Sequence, residues 1–206
     1  MIRPEFFERK DLTAAQRCFL DFLKAFYFTL ESAAAAFEND LPSSALQIAR
    51  RTDVIDELTQ NALISFDRQP PEEAGRFFAA LSVAQRAADI LRRLCICGAK
   101  SFDGLDESRV FLGALCRSAI DRLDWSHKRQ LLGPRHNGAG PDDLELTLGE
   151  LPGSMAVERR LERVQALLDF HDALLAAREL FVVLREIEHV SELLFPVEDD
   201  KYWRRG

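Results

Sequence analysis

The sequence has little glycine and proline: ten and eight residues out of 206, gathered in a few short stretches. Their scarcity leaves long stretches uninterrupted, the longest running from Met155 to Phe195. Hydrophobic residues make up 47% of the chain and charged residues 30%, a balance that excludes a disordered protein. Leu and Phe stand among Ala, Glu and Arg, residues that favour helix over strand. The composition therefore predicts an all-α globular fold.

Basic residues are outnumbered by acidic ones: the chain has 27 Lys and Arg and 34 Asp and Glu, which gives a net charge of −7. An acidic chain without a basic stripe has no electrostatic reason to bind nucleic acid. The longest apolar stretch, 19–30, contains Asp21 and Lys24 and is too short to span a membrane. The first twelve residues lack the apolar core of a signal peptide. We therefore expect a cytoplasmic protein that does not insert into a membrane.

Common signatures of catalysis are also missing from the sequence. It contains no Gly-rich phosphate loop and no Ser or Cys nucleophile motif, so we expect no enzymatic activity. The four cysteines, Cys18, Cys95, Cys97 and Cys116, suit a reducing compartment. Cys95 and Cys97 are two residues apart and point in different directions on a helix, which makes a poor metal clamp. We interpret the cysteines as small apolar fillers.

Apolar periodicity and turn residues predict six long helices. They cover about 14–37, 42–66, 71–103, 107–132, 155–170 and 172–195. The sequence GPRHNGAGP, just after the fourth of these helices, is the one linker-like segment.

Two stretches of the chain resemble each other 103 residues apart. LSVAQRAADIL begins at Leu81 and LREIEHVSELL begins at Leu184. Aligned without a gap, they place Asp89 opposite Glu192. One acid at the same position in both stretches indicates an internal duplication rather than a solenoid, because the period is near 100 residues.

The same alignment predicts where the last two helices separate. Asp56 aligns with Glu162 at an offset of 106, so the second copy has lost three residues where the first has its RQPP turn. We therefore predict a tight turn at His171–Asp172, with Asp172 as the N-cap of the sixth helix. The fold is then two antiparallel three-helix bundles in tandem. Their predicted bounds are 14–104 and 105–196, with a flexible loop at 133–153 and peripheral tails at 1–13 and 197–206.

Short acidic motifs recur in both halves. They read RTDVIDELTQNAL (51–63), DRQPPEEAGRFFAAL (67–81), QRAAD (85–89), ERRLERV (158–164) and EHVSE (188–192). A doubled three-helix unit with these motifs resembles the PhoU family, the phosphate-uptake regulators of bacteria and archaea. The resemblance covers about residues 14–196. It implies a regulator of phosphate transport or phosphate signalling that docks onto a membrane phosphate transporter or a sensor kinase.

The resemblance also implies metal binding, because PhoU proteins hold metal ions between acid-x-x-x-acid pairs on neighbouring helices. Carried over by position, the ligands are Glu158, Glu162, Glu188 and Glu192. Residues four apart lie one above the other on a helix, and carboxylate oxygens suit iron, manganese, magnesium or another divalent ion. His189 stands where the family usually has Arg.

The first half keeps a weaker version of this metal site. Its pairs read Thr52/Asp56 and Gln85/Asp89, so one acid of each has become neutral. Asp56 and Asp89 are therefore secondary candidates for metal ligands.

A solvated helix surface is an alternative interpretation of the glutamates. Arg159 lies three residues before Glu162, and Arg185 lies three before Glu188. Such pairs are ordinary on helix surfaces and stabilise them by about 0.2–0.5 kcal/mol.

Two alternative functions also stay open. Glu186-x-x-His189 and Asp124-x-x-His127 resemble part of a di-iron site, which needs two Glu-x-x-His motifs and two further glutamates. The alternative to a PhoU-like regulator is a generic helical adaptor or dimerisation module without metal or a phosphate role, since amphipathic helices offer a surface for a partner helix, including that of a homodimer.

Overall fold

The structure, a computed structural model, describes residues 12–65, 71–100, 102, 105, 108–132 and 160–195, and every regular element in these ranges is an α-helix. The helices are α1 (Ala14–Glu38), α2 (Pro42–Arg51), α3 (Asp53–Ser65), α4 (Pro71–Gly98), α5 (Ser108–Leu132) and α6 (Arg160–Leu194). The all-α prediction is confirmed. None of the helices in these ranges is both long and apolar enough to cross a membrane.

Residues near the two ends of α1 determine where this helix begins and how it is joined to α6 and α2. The Thr13 hydroxyl accepts a hydrogen bond from the Gln16 N–H at 3.3 Å, and the Gln16 Oε1 accepts one from the Thr13 N–H at 2.9 Å. This capping box satisfies two N–H groups that have no partner within the helix. Gln16 Nε2 also donates to the Leu194 carbonyl at 2.6 Å, which joins the first turn of α1 to the last turn of α6. At the other end, Asp40 adopts a positive φ of 51°, and Pro42 begins α2.

The predicted second helix, 42–66, is interrupted at Thr52 and forms α2 and α3. The Thr52 side chain is fully buried, and its hydroxyl donates to the Ala49 carbonyl at 2.7 Å. A threonine hydroxyl that bonds a backbone carbonyl of the preceding turn competes with the regular helix pattern. The Thr52 carbonyl still accepts hydrogen bonds from the N–H groups of Ile55 and Asp56, so α3 starts directly after the interruption.

The predicted turn at His171–Asp172 is wrong, because α6 continues through both residues to Leu194. Ala173, Ala177 and Leu180 continue its buried face at helical spacing, and nothing in the stretch removes a backbone donor. Asp172 is an exposed residue within the helix rather than an N-cap. Among the described residues, the second half therefore contributes two helices, α5 and α6, instead of three.

Four helices surround a shared core, with contacts in the cyclic order α1, α5, α6 and α4, and with α2 and α3 packed on α1 and α4. The largest buried side chains come from both halves of the chain, and they include Phe26 of α1, Leu91 of α4 and Leu112 of α5. Buried residues of α6, such as Leu184, belong to the same cluster. The core thus crosses the predicted boundary between residues 104 and 105.

Two glycines allow the end of α1 to lie close to α4 and α5. A methyl group at Gly98 would lie 2.5 Å from Cε1 and 2.7 Å from Cζ of Phe37. A methyl group at Gly113 would lie 2.8 Å from Cγ and 3.1 Å from the backbone nitrogen of Glu38. All four distances are shorter than a normal van der Waals contact, so this close packing requires glycine, which has no side chain, at both positions.

We expect Gly98→Ala to lower the free energy of unfolding by about 1–3 kcal/mol, since the added methyl overlaps the fully buried Phe37 ring. Gly75→Ala is the matched control, because no atom lies within 4 Å of its new methyl. Alanine is the better helix former, so the control should gain about 0.5–1 kcal/mol. Urea unfolding measures both changes. A Gly98→Ala protein as stable as the control would contradict this packing.

Candidate functional site

Asp56 of α3 and Asp89 of α4, which the sequence predicted to lie together, share one guanidinium group. Arg92 donates hydrogen bonds to Asp56 Oδ2 at 2.5 Å and to Asp89 Oδ1 at 2.8 Å. It also donates to Asp53 Oδ1 at 3.2 Å. Arg92 stands three residues after Asp89 on α4, which is the spacing of a helix-surface ion pair. The spacing of Asp89 and Arg92 is visible in the sequence and could have identified Arg92 as a partner, but the prediction took only the acids into account.

The carboxylates around Arg92 raise the pKa of its guanidinium, chiefly through the hydrogen bond with Asp56. Arginine keeps its charge at all physiological pH values, so this positive group is permanent. The Arg92 side chain is 28% exposed, and the Asp56 side chain 35%. The arrangement links α3 to α4. The positive charge of Arg92 also balances part of the negative charge of Asp56 and Asp89, which were predicted as metal ligands.

Glu188, a predicted metal ligand, forms a bidentate ion pair with Arg122 of α5. Arg122 Nε donates to Oε1 at 2.8 Å, and Arg122 Nη2 donates to Oε2 at 3.2 Å. The two side chains are 16% and 19% exposed, so the pair is largely shielded from water. Both carboxylate oxygens of Glu188 are thus engaged, and a metal ion would have to displace Arg122 from them.

One of the other predicted ligands, Glu162, lies far from Glu188 along α6. From 162 to 188 is 26 residues along one helix, or about 39 Å at 1.5 Å per residue. Glu162 and Glu188 therefore do not meet within one copy, because their meeting required a turn at 171–172. Glu158 lies outside the described residues, Glu162 is described by its backbone alone, and Glu192 is exposed.

Among the side chains that the structure describes, no group of three or more His, Cys, Asp and Glu residues is arranged to hold a metal ion. Glu186 pairs with Arg86 of α4, and His189 is exposed. The Glu-x-x-His motif thus lies on the outer side of α6, whereas di-iron bundles direct this motif into their interior.

Further ion pairs follow the junction between α4 and α6. Besides the Arg86–Glu186 pair, Arg93 donates to Glu179, and Lys100 Nζ lies 2.7 Å from Asp169 Oδ1. These pairs connect helices that the sequence assigned to different units. They support the interpretation of the acidic residues as helix-surface partners of Arg and Lys.

The cysteines are free thiols, and Cys95 and Cys116 lie fully within the core. Burial raises the pKa of Cys95 to about 12 and also raises that of Cys116. The pKa of Cys18 is raised to about 11, first by burial and then by Asp21. A thiol with a raised pKa is a poor nucleophile at neutral pH. The prediction of apolar fillers is confirmed for the two buried cysteines.

The solvent side of α6 carries a repeating pattern that sequence reasoning missed. Leu168, Leu175 and Val182 are seven residues apart and are 54%, 43% and 45% exposed. We call these three residues the α6 seam. Residues at intervals of seven form one line along a helix. The seven-residue period was present in the sequence, but the buried side of α6 is also apolar, and this obscured the second line.

Each residue of the α6 seam is followed by a basic residue at the third position and an acid at the fourth. The pairs are His171–Asp172, Arg178–Glu179 and Arg185–Glu186. The apolar line is therefore accompanied by an Arg followed by a Glu at two of its residues, and by a His followed by an Asp at the third.

Comparison of the chain with protein-family models, curated proteins and solved structures finds no match. A functional conclusion therefore depends on the residues and their geometry.

We expect Arg122→Leu to lower the free energy of unfolding by about 1–3 kcal/mol, because Glu188 loses its bidentate partner in a site with little water. Arg86→Leu is the matched control. Its ion pair with Glu186 is much more exposed, so the change should stay within about 0.5 kcal/mol.

A double-mutant cycle with Glu188→Leu isolates the energy of the pair itself. Equal losses for Arg122→Leu and Arg86→Leu would show that shielding from water does not strengthen the Arg122–Glu188 interaction.

Proposed function

We propose that the protein is a helical interaction module without catalysis of its own, and that it binds a partner through the α6 seam. The observation that carries this proposal is the line of Leu168, Leu175 and Val182 on the solvent side of a 35-residue helix. A helix that presents apolar side chains at regular intervals offers a binding surface for another helix.

The charged residues support this proposal by what they already contact. Asp56 and Glu188 accept hydrogen bonds from arginines of neighbouring helices, and Asp89 accepts one from Arg92 of its own helix. These contacts stabilise the bundle, so the carboxylates first considered as ligands have a structural use. The apolar residues of the α6 seam have no comparable role within the fold, since about half of each residue is exposed to water.

A photo-crosslinking amino acid placed at Leu175 tests the interaction in the cells that make the protein. We expect covalent adducts at this position, because a partner helix on the α6 seam would lie against it. The same group at Asp21, an exposed residue of α1, is the control and should give none. Adducts that form equally at both positions, or at neither, would exclude the α6 seam as the binding surface.

A second candidate function is PhoU-like regulation of phosphate transport or signalling, through a membrane phosphate transporter or a sensor kinase. The observation that favours it is the meeting of Asp56 and Asp89 on adjacent helices, at the positions the family resemblance selects. Under this proposal the two halves are diverged copies of one helical unit, and α6 is a fused pair of helices. The proposal assigns no metal to the four glutamates.

Deletion of the gene tests the phosphate role, and we expect altered phosphate uptake and alkaline phosphatase activity. The wild-type gene should restore both, and an Asp56→Asn/Asp89→Asn variant should not. Asp53→Asn is the control, because the resemblance assigns no ligand to Asp53 and this residue makes the longest of the three contacts with Arg92. Unchanged uptake and phosphatase activity after deletion would exclude phosphate regulation and leave the interaction module intact.

A further inference from the structure

We propose that the partner on the α6 seam is a second copy of this chain, aligned in parallel so that each seam residue meets its own counterpart. This inference depends on the proposed interaction function and adds the identity and direction of the partner. It is carried by the order of charges beside the seam.

Acidic and basic residues lie on opposite sides of the α6 seam. From Leu175, Arg178 is three residues on and Glu179 is four, which correspond to rotations of about 300° and 400° around the helix. The two charged side chains therefore flank Leu175 on different sides. Arg185 and Glu186 flank Val182 in the same way. The seam thus has a basic column on one side and an acidic column on the other.

Contacts with α4 identify the side on which the acidic column lies. Glu179 accepts from Arg93 and Glu186 accepts from Arg86, so both acids lean towards α4. Arg178 is exposed, and the helical rotation places it on the other side of the α6 seam from Glu179. Glu179 and Glu186 are paired within the chain, yet their side chains stay 44% and 35% exposed, so each carboxylate can accept a further hydrogen bond from a second copy.

The two possible orientations of a symmetric pair place these columns differently. A two-fold axis parallel to the helices brings the acidic column of one copy against the basic column of the other. A two-fold axis perpendicular to the helices brings acid against acid and base against base. Like charges placed opposite one another are destabilising, whereas opposite charges attract and set the register. The charge pattern is thus complementary to itself in the parallel orientation.

The dimer should be weak and reversible, because the α6 seam is short. From Leu168 to Val182 the helix rises about 21 Å. A stable interface usually buries about 800 Å² on each partner, which is more than such a seam provides. We therefore expect a dissociation constant of about 1–100 µM.

Cysteine cross-linking tests the direction of the pair. Leu168→Cys, Leu175→Cys and Val182→Cys are introduced one at a time into the full chain and oxidised. A parallel pair brings every position next to its own counterpart, so all three variants should form disulfide-linked dimers. An antiparallel pair allows this at no more than one of them. Asp21→Cys and the unaltered chain, with its four native thiols, are the controls and should stay monomeric. Dimers at a single position, or at none, would overturn the parallel arrangement.

Sedimentation equilibrium tests the charge complementarity. Arg178→Glu puts acids on both sides of Leu175, and we expect the dissociation constant to rise about tenfold. Arg51→Glu makes the same change of charge at an exposed position of α2 and should leave the constant within about twofold. Equal effects of the two variants would contradict the proposed role of the basic column.

The oligomeric state separates this inference from the proposed function. A chain that stays monomeric at several hundred micromolar, yet gives adducts with another protein at Leu175 in cells, overturns the second copy as partner and keeps the interaction module. A monomeric chain without adducts at Leu175 overturns both.

Discussion

The uninterrupted backbone hydrogen bonding of α6 determines how the rest of the molecule is arranged. This helix contains no glycine or proline across its 35 residues, so it extends for about 52 Å. Along that length it packs against both α4 and α5, and its buried residues join the core formed by α1. One long helix thus connects elements from the two halves of the chain. The same continuity keeps Glu162 apart from Glu188.

Arginine contributes most of the contacts that link the charged surfaces of different helices. Arg92 connects α4 to α3, Arg122 connects α5 to α6, and Arg117 connects α5 to Glu38 of α1. The planar guanidinium suits carboxylates because it donates several hydrogen bonds in a fixed geometry. An acidic chain can therefore place carboxylates on adjacent helices without a metal ion. The spacing of acids on adjacent helices is therefore compatible with arginine partners as well as with a metal ion.

Most of the helices could be predicted from local signals in the sequence. The turn after α1, Pro71 at the start of α4 and the apolar periodicity located the helices, because caps and helical spacing are read within a few residues. The turn at His171–Asp172 failed for a different reason. It depended on the offset between two similar stretches, and an offset does not reveal whether a helix continues. The interruption at Thr52 depends on burial of one hydroxyl, which a sequence does not display.

The candidate site was predictable to a similar extent. The meeting of Asp56 and Asp89 follows from α3 packing on α4, and the spacing of acids anticipated it. Arg122 was not foreseen as the partner of Glu188, because residues 66 positions apart meet only through the packing of α5 on α6. The seven-residue period of the α6 seam is visible in the sequence, but its exposure to solvent could be recognised only once the position of the core was known.

The hydrogen bond from Gln16 to the Leu194 carbonyl has a consequence for the order of folding. Its partners are separated by 178 residues, so the first turn of α1 can form this contact only after the end of α6 has been synthesised. During synthesis, α1 leaves the ribosome before α5 and α6 and exposes an aromatic face that these helices have yet to cover. Contacts between such distant residues slow the closure of a helical bundle. Among the described helices, α1 is thus made before the others and is among the last to be fully enclosed.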